Sequence, residues 1–249
     1  MSKTSRRNFV RGGLAAGAAI TAASCNTNRG PTVITNQIKD VTLRLMGTGA
    51  AQINDIRERA QKELGFKIKM RALSTAENIQ ISITQPKQYD IYDGEYFSLP
   101  LVVPSGNLQA IDIWRIKDFD KITPIFTTGE LYPGARVNTS QGTAPRKVMF
   151  LKGKNSTEFA SAQTDWATMI PFQFNADTLG YRPDLVNRKI ESWAELFNPE
   201  FRGKTSLLDI PSIGIMDTAM VMEAQGLMKF GDKGNITREE LDKVKQILI

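Results

Sequence analysis

Between residues 41 and 92 the apolar positions switch repeatedly between two spacings. Val41, Leu43 and Leu45 alternate with Thr42, Arg44 and Met46 ahead of a Gly47-Thr48-Gly49 turn, the pattern of a strand entering a tight connection. Ile53, Ile56, Ala60 and Leu64 then recur at helical spacing until Gly65 stops them. Phe66, Ile68, Met70 and Ala72 alternate strictly with Lys67, Lys69 and Arg71, so a second strand is predicted with one face buried and one polar. Ser74 and Glu77 have the spacing of a capping box for a second helix that Pro86 ends, and Tyr89 to Tyr92 reads as a third strand. Strands near 41, 66 and 89, separated by helix-length segments, predict βαβ units and a parallel sheet.

From 113 to 165 the pattern lapses into Thr, Gly, Asn and Lys clusters with prolines at 124, 133 and 145, which predicts a long, partly helical surface excursion. Regularity returns from Ile170. Ser192 and Glu195 suggest a second capping box around SWAELF, and Thr205 to Leu208 reads as a strand. Ile213, Met216, Met220 and Val221 form a helical stripe ending at Gly226, and Thr237 with Glu240 starts one more helix.

The first 25 residues follow a different logic. Gly12 to Ala23 is a short, weakly apolar run behind Lys3, Arg6, Arg7 and Arg11, too short to span a bilayer and laid out as an export signal. The pair Arg6 and Arg7, with Ser5 before it and Phe9 two residues beyond, resembles a twin-arginine signal. Cys25, the only cysteine, closes this segment, so no internal disulfide can form. It is either a lipid attachment point or incidental to cleavage near Ala23 or Ser24; a lipoprotein box would place Leu where Ala22 stands. Four of the 32 basic residues lie in this segment, leaving 28 against 26 acidic ones and a mature net charge of +2 rather than +6. The basic balance therefore gives no reason to expect nucleic acid as a partner. Sequons at Asn138, Asn155 and Asn235 carry no weight in a bacterial exported chain.

The absence of histidine removes Ser-His, Cys-His and His-metal chemistry, and no P-loop or full dinucleotide fingerprint occurs. No enzymatic activity, cofactor or metal is expected. A ferric-ion binder would want paired tyrosines with carboxylates, and the five tyrosines, at 89, 92, 96, 132 and 181, include no adjacent pair.

The stretch ESWAELFNPEFRGKTSLLDIPS, Glu191 to Ser212, resembles the second-lobe entry of extracellular solute-binding proteins of ABC importers, particularly the spermidine/putrescine-binding group. YDIYDGEYFSLPLVVPSGNLQAID resembles that group's third strand, ligand loop and following helix, and MIPFQFNADTLGYRPDLV its crossing strand. The Trp193-to-Lys204 block is the specific part of a similarity that extends as a pattern over residues 40 to 249. The resemblance implies an α/β, type II periplasmic-binding-protein architecture with parallel-rich sheets. Its organisation would be a signal at 1–25, a linker at 26–38, lobe 1 at 39–168, an interlobe crossing strand at 169–183 and a partial lobe 2 at 184–249. It also implies a chain truncated at its C-terminal end.

Open α/β sheets bind ligands at the carboxyl ends of their strands, and four stretches fall there. One is Gly47-Thr48-Gly49-Ala50, which reads equally as a plain turn. The others are Asp93-Gly94-Glu95-Tyr96-Phe97, the Phe172, Phe174, Asn175 and Asp177 group, and Asp209 to Ser212. The resemblance sets Phe174 where the polyamine group has a stacking Trp and Asp177 on a Thr. Its basic-acidic pair after the acidic turn is replaced by Ser212 and Ile213, a departure from a polyamine site. Asp93, Glu95, Tyr96, Phe174, Asp177, Asp209 and Ser212 are the expected ligand residues. The carboxylates would pair with a cation, the aromatics would pack its methylenes, and Ser212 would hydrogen-bond. The implied function is a monomeric periplasmic component that captures a small solute, a polyamine-like cation favoured, and delivers it to an ABC permease in the inner membrane. Amino-acid-like, sugar or metal-ion ligands, or a ligand-presenting sensory role, are the alternatives.

Overall fold

The computed structural model describes residues 40–132, 134–135, 141–174 and 177–248. Arg6, Arg7, Cys25 and Asn175 lie outside the described residues. The chain divides between Asn107 and Leu108 into two compact units.

The first unit is built on β1 (Thr42–Thr48), α1 (Asn54–Leu64), β2 (Lys67–Leu73), α2 (Thr75–Thr84) and β3 (Ile91–Asp93). The three strands are parallel in the order β2-β1-β3. The register pairs Thr42 with Lys67 through Thr48 with Leu73 on one side of β1 and Leu45, Met46 and Gly47 with Ile91, Tyr92 and Asp93 on the other. This is the α/β arrangement with a parallel sheet that the alternating periods predict. The chain lays β2 on one flank of β1 and returns to lay β3 on the other, so the winding reverses between β1 and β3.

Local chemistry places the boundaries. Gly65 adopts φ 77°, and its N–H donates to the Gln61 carbonyl to close α1. Ser74 Oγ accepts from the Glu77 N–H at 3.3 Å while the Glu77 carboxylate accepts from the Ser74 N–H at 3.1 Å, so the capping box at α2 forms as expected. At the other end of α2, the Asn107 amide donates to the carbonyls of Ser82 and Ile83, and the Tyr89 hydroxyl donates to Ser82. The Arg44 guanidinium grips Asp90 with two bonds of 2.9 and 3.0 Å, and the Arg44 N–H donates to the same carboxylate at 2.9 Å. That clamp fixes β1 against the approach to β3. Met46, Tyr89, Leu99, Val102 and Val103 are buried with Asn78, Ser82 and Ser98. The α1 stripe does not bury: Ile53, Ile56 and Leu64 are all exposed, because β2 beside this helix is an edge strand with no buried residue.

In the second unit the segment from 113 to 165 is not a surface excursion. Its Ile113, Phe119, Phe126, Met149 and Phe150, with Ala167, form the buried core, presented by short turns around β4 (Ile111–Asp112) paired antiparallel with β5 (Trp166–Ala167). The lapse of period reflects short elements, not exposure. A second cluster joins Ala219, Met222, Phe230 and Val244. The first two lie on the helix Pro211–Ala224, the last on Arg238–Leu248. On the first of these helices the buried residues are Thr218, Ala219, Val221 and Met222, so of the expected Ile213, Met216, Met220 and Val221 only Val221 is fully buried, and Met216 is exposed. The expected helix start at Thr237 is made by a capping box with Glu240, with bonds of 2.8 and 3.2 Å.

The box expected at Ser192 is only half made. Its hydroxyl accepts from the Ala194 N–H, SWAELF is a 3-10 turn, and the Glu195 carboxylate turns to Arg188. Two charge-assisted bonds outcompete one to the chain's own N–H. Thr205 to Leu208 pairs in no strand; Thr205, Ser206 and Leu208 are exposed, without the half-buried face a strand requires.

Candidate functional site

The reversal between β1 and β3 brings two loops together at the carboxyl edge of the sheet. Gly47 is buried and pairs with Asp93. A Cβ built on Gly47 would stand 2.6 Å from the Asp93 carbonyl oxygen, 2.9 Å from the Asp93 Cβ and 3.0 Å from Gln52 Nε2, so only glycine lets the strands approach this closely. Beyond it the chain turns through Gly49–Ala51, and the Gln52 N–H returns to the Gly49 carbonyl at 3.3 Å. That turn carries the Gln52 side chain back over the strand end.

The Gln52 amide is buried, and neither its Nε2 nor its Oε1 meets a hydrogen-bond partner. Asn78, on α2 and 0% exposed, donates from Nδ2 to the Asp93 carbonyl at 3.1 Å, while its Oδ1 is likewise without a partner. The Glu95 carboxylate accepts from Thr75 Oγ1 at 2.9 Å with one oxygen and leaves Oε2 buried and unpaired. A structure normally pairs nearly all such atoms, so four orphans on three side chains around one strand end mark a place built to be completed by something else.

The electrostatics agree. Burial first, and the Glu95 charge second, push the Asp93 carboxyl above the usual aspartate range. Burial pushes the Tyr92 phenol up to about 12, against the opposing effect of its 2.7 Å hydrogen bond with Ser98 Oγ. Ser98 in turn donates to the Glu95 carbonyl at 2.6 Å, holding the 93–98 loop in shape. Tyr96 sits on the short turn after Glu95 with its ring edge-on to Phe97, centroids 6.2 Å apart. Asp93, Glu95 and Tyr96 are therefore carried by one loop.

Of these groups, Gln52, Thr75 and Asn78 went unselected by sequence reasoning. One signal was there. Asn78 and Ser82 lie four residues apart on one helical face, and both are fully buried, so a polar pair occupies the side of α2 that should be apolar.

The candidates of the second unit are more dispersed. Phe174 is 59% exposed, meets Phe126 edge-on at 5.5 Å, and with Phe172 lines a cavity of about 260 Å3 that also touches Asp118 and Lys121. Residues 170–174 and 177–183 form no regular strand. Asp177 is exposed; its charge, second to burial, holds the Asp217 carboxyl above its usual range, which sets it near the helix Pro211–Ala224. Ser212 is exposed in the first turn of that helix, and Asp209 stands exposed just ahead of it. Among the described residues, no group of three or more His, Cys, Asp or Glu side chains gathers as a metal site. No described helix is long and apolar enough to cross a membrane.

Compared with protein-family models and with curated proteins, the chain matches none.

Proposed function

We propose that the chain is the solute-binding component of an ABC importer, exported through a twin-arginine signal and working in the periplasm with an inner-membrane permease. The observation that carries this reading is the pair of carboxylates, Asp93 and Glu95, set with the unpaired amide of Gln52 and the unpaired Oδ1 of Asn78 at the β1/β3 reversal. That is where open parallel sheets take ligands, and the groups there suit capture: they are buried hydrogen-bonding atoms, most of them acceptors. The reading includes a two-lobed type II architecture. Its expected ligand residues are Asp93, Glu95 and Tyr96 in the first unit and, as separate candidates, Phe174, Asp177, Asp209 and Ser212 in the second. A small cation of the polyamine kind is the favoured solute, since it would replace its lost hydration with carboxylate contacts.

The test is thermal unfolding with and without spermidine and putrescine. At 100-fold over its dissociation constant a ligand adds about 2.7 kcal/mol of stability. A saturable rise that disappears in the Asp93→Asn, Glu95→Gln double variant supports the assignment. A rise that survives the double variant refutes these residues as the binding groups.

A further inference from the structure

We infer that the solute taken at the β1/β3 edge carries a hydroxyl group next to its ammonium group: it is a vicinal amino alcohol, of which amino sugars are the accessible examples. The inference rests on the solute-binding reading above, keeps its cationic solute and sets an amino alcohol in place of a bare polyamine. The orphaned atoms form a mixed set, three acceptors (Gln52 Oε1, Asn78 Oδ1 and Glu95 Oε2) and one donor group, Gln52 Nε2. An ammonium group has three donors and no acceptor. A bare diamine therefore serves the acceptors and leaves the Gln52 NH2 buried and unpaired, and a site built around a polar group selects against the ligand that lacks its counterpart. A hydroxyl donates and accepts from one atom, which is what the Gln52 amide requires.

The spacing follows from Gly47. Gln52 Nε2 and the Asp93 Cβ stand 3.0 and 2.9 Å from the one point over Gly47 that a Cβ would occupy. The Gln52 amide and the Asp93 side chain are thus neighbours, close enough for a hydroxyl and an ammonium on adjacent carbons to reach both. Tyr96 and Phe97, edge to face on the same loop, offer rings against which a sugar-like body can pack.

Calorimetric titration of the chain with glucosamine, glucose and putrescine tests this. Glucosamine is expected to bind at least about tenfold more tightly than either of the others, the effect of one buried polar group paired or unpaired. Gln52 makes no side-chain hydrogen bond that folding would lose, so Gln52→Met should collapse the glucosamine-to-putrescine ratio towards unity. Gln52→Glu, which exchanges the amide donor for a carboxylate, should turn the ratio in favour of putrescine.

Putrescine binding as tightly as glucosamine overturns the inference while leaving the solute-binding reading in place. So does glucose matching glucosamine, or a ratio unmoved in both variants, which would mean that the orphaned amide meets water only. If none of the three probes binds, both the inference and the cationic-solute reading fall.

Discussion

Replacing Gly47 by alanine tests the central geometric claim, that the carboxyl edge is formed by two strands too close for a side chain. The new Cβ would lie 2.6 Å from a backbone oxygen of Asp93, and ordinary contact begins at 3.4 Å, so β1 and β3 must separate by about 0.8 Å at that rung. Neither side gives easily. The obstructing atom is backbone, Gly47 is buried, and three residues upstream the Arg44–Asp90 clamp ties β1 to the start of β3. Overpacking of this kind costs about 1–3 kcal/mol, and a backbone obstacle places Gly47→Ala in the upper half, about 2–3 kcal/mol.

The assay is urea unfolding followed by circular dichroism. With a slope of about 1–3 kcal/mol/M the midpoint should fall by roughly 1 M. Gly49→Ala is the matched control: its Cβ would meet nothing within 4 Å and its φ is not left-handed, so it should be neutral or raise stability by up to about 1 kcal/mol. A Gly47→Ala midpoint that coincides with wild type, or one equal to that of Gly49→Ala, would refute the close approach of β1 and β3.

Three further outcomes follow from the same unit. Asp93→Asn should raise the stability of the ligand-free chain at neutral pH: the carboxyl is held above its usual range, so the unfolded state releases its proton first and stability falls as pH rises through the acid range. Comparing urea midpoints at pH values either side of that range should show the slope shrinking in the variant. The Tyr92 phenol, pushed up to about 12, should titrate well above the ordinary phenol value of about 10 in an ultraviolet absorbance titration, and its stabilising contribution should be complete below pH 10 and lost between there and about 12. Arg44→Met should cost about 2 kcal/mol by removing the two guanidinium bonds to the largely buried Asp90 carboxylate, whereas Arg44→Met with Asp90→Leu should cost less than Arg44→Met alone, as a double-mutant cycle would reveal.

The sequence was most legible where one signal sets one element. The 41–92 alternation yields the three strands and the two longer helices of the first unit, because period 2 and period 3.6 are distinguishable within seven to eleven residues, and Gly65, Ser74 and Pro86 mark the ends. What it did not carry was burial. Ile53, Ile56 and Leu64 keep perfect helical spacing and remain exposed, since periodicity records the face a helix could bury and not what lies beneath it. The reverse happens at 113–165, where Phe119, Phe126 and Phe150 reach the core from turns too short to leave a period. Asp93 and Glu95 were readable as an acidic turn after a strand. Gln52 and Asn78 were not, because each becomes a site residue only when the sheet order sets its loop or helix beside Asp93.

That dependence on strand order explains why the glycine, the carboxylates and the unpaired amides occur together. A reversal between β1 and β3 sets the carboxyl ends of two adjacent strands side by side, the edge at which open parallel sheets take ligands. Lining it with Asp93, Glu95, Gln52 and Asn78 then works against folding: two carboxyl groups repel, one is held off its usual titration, and four polar atoms lose water without gaining partners. Apolar side chains at the same positions would stabilise the unit further. The first unit, whose capping box and strand register follow its local signals, holds its buried unpaired side-chain atoms, among the described residues, around the end of β1 and β3, where a bound molecule would relieve them.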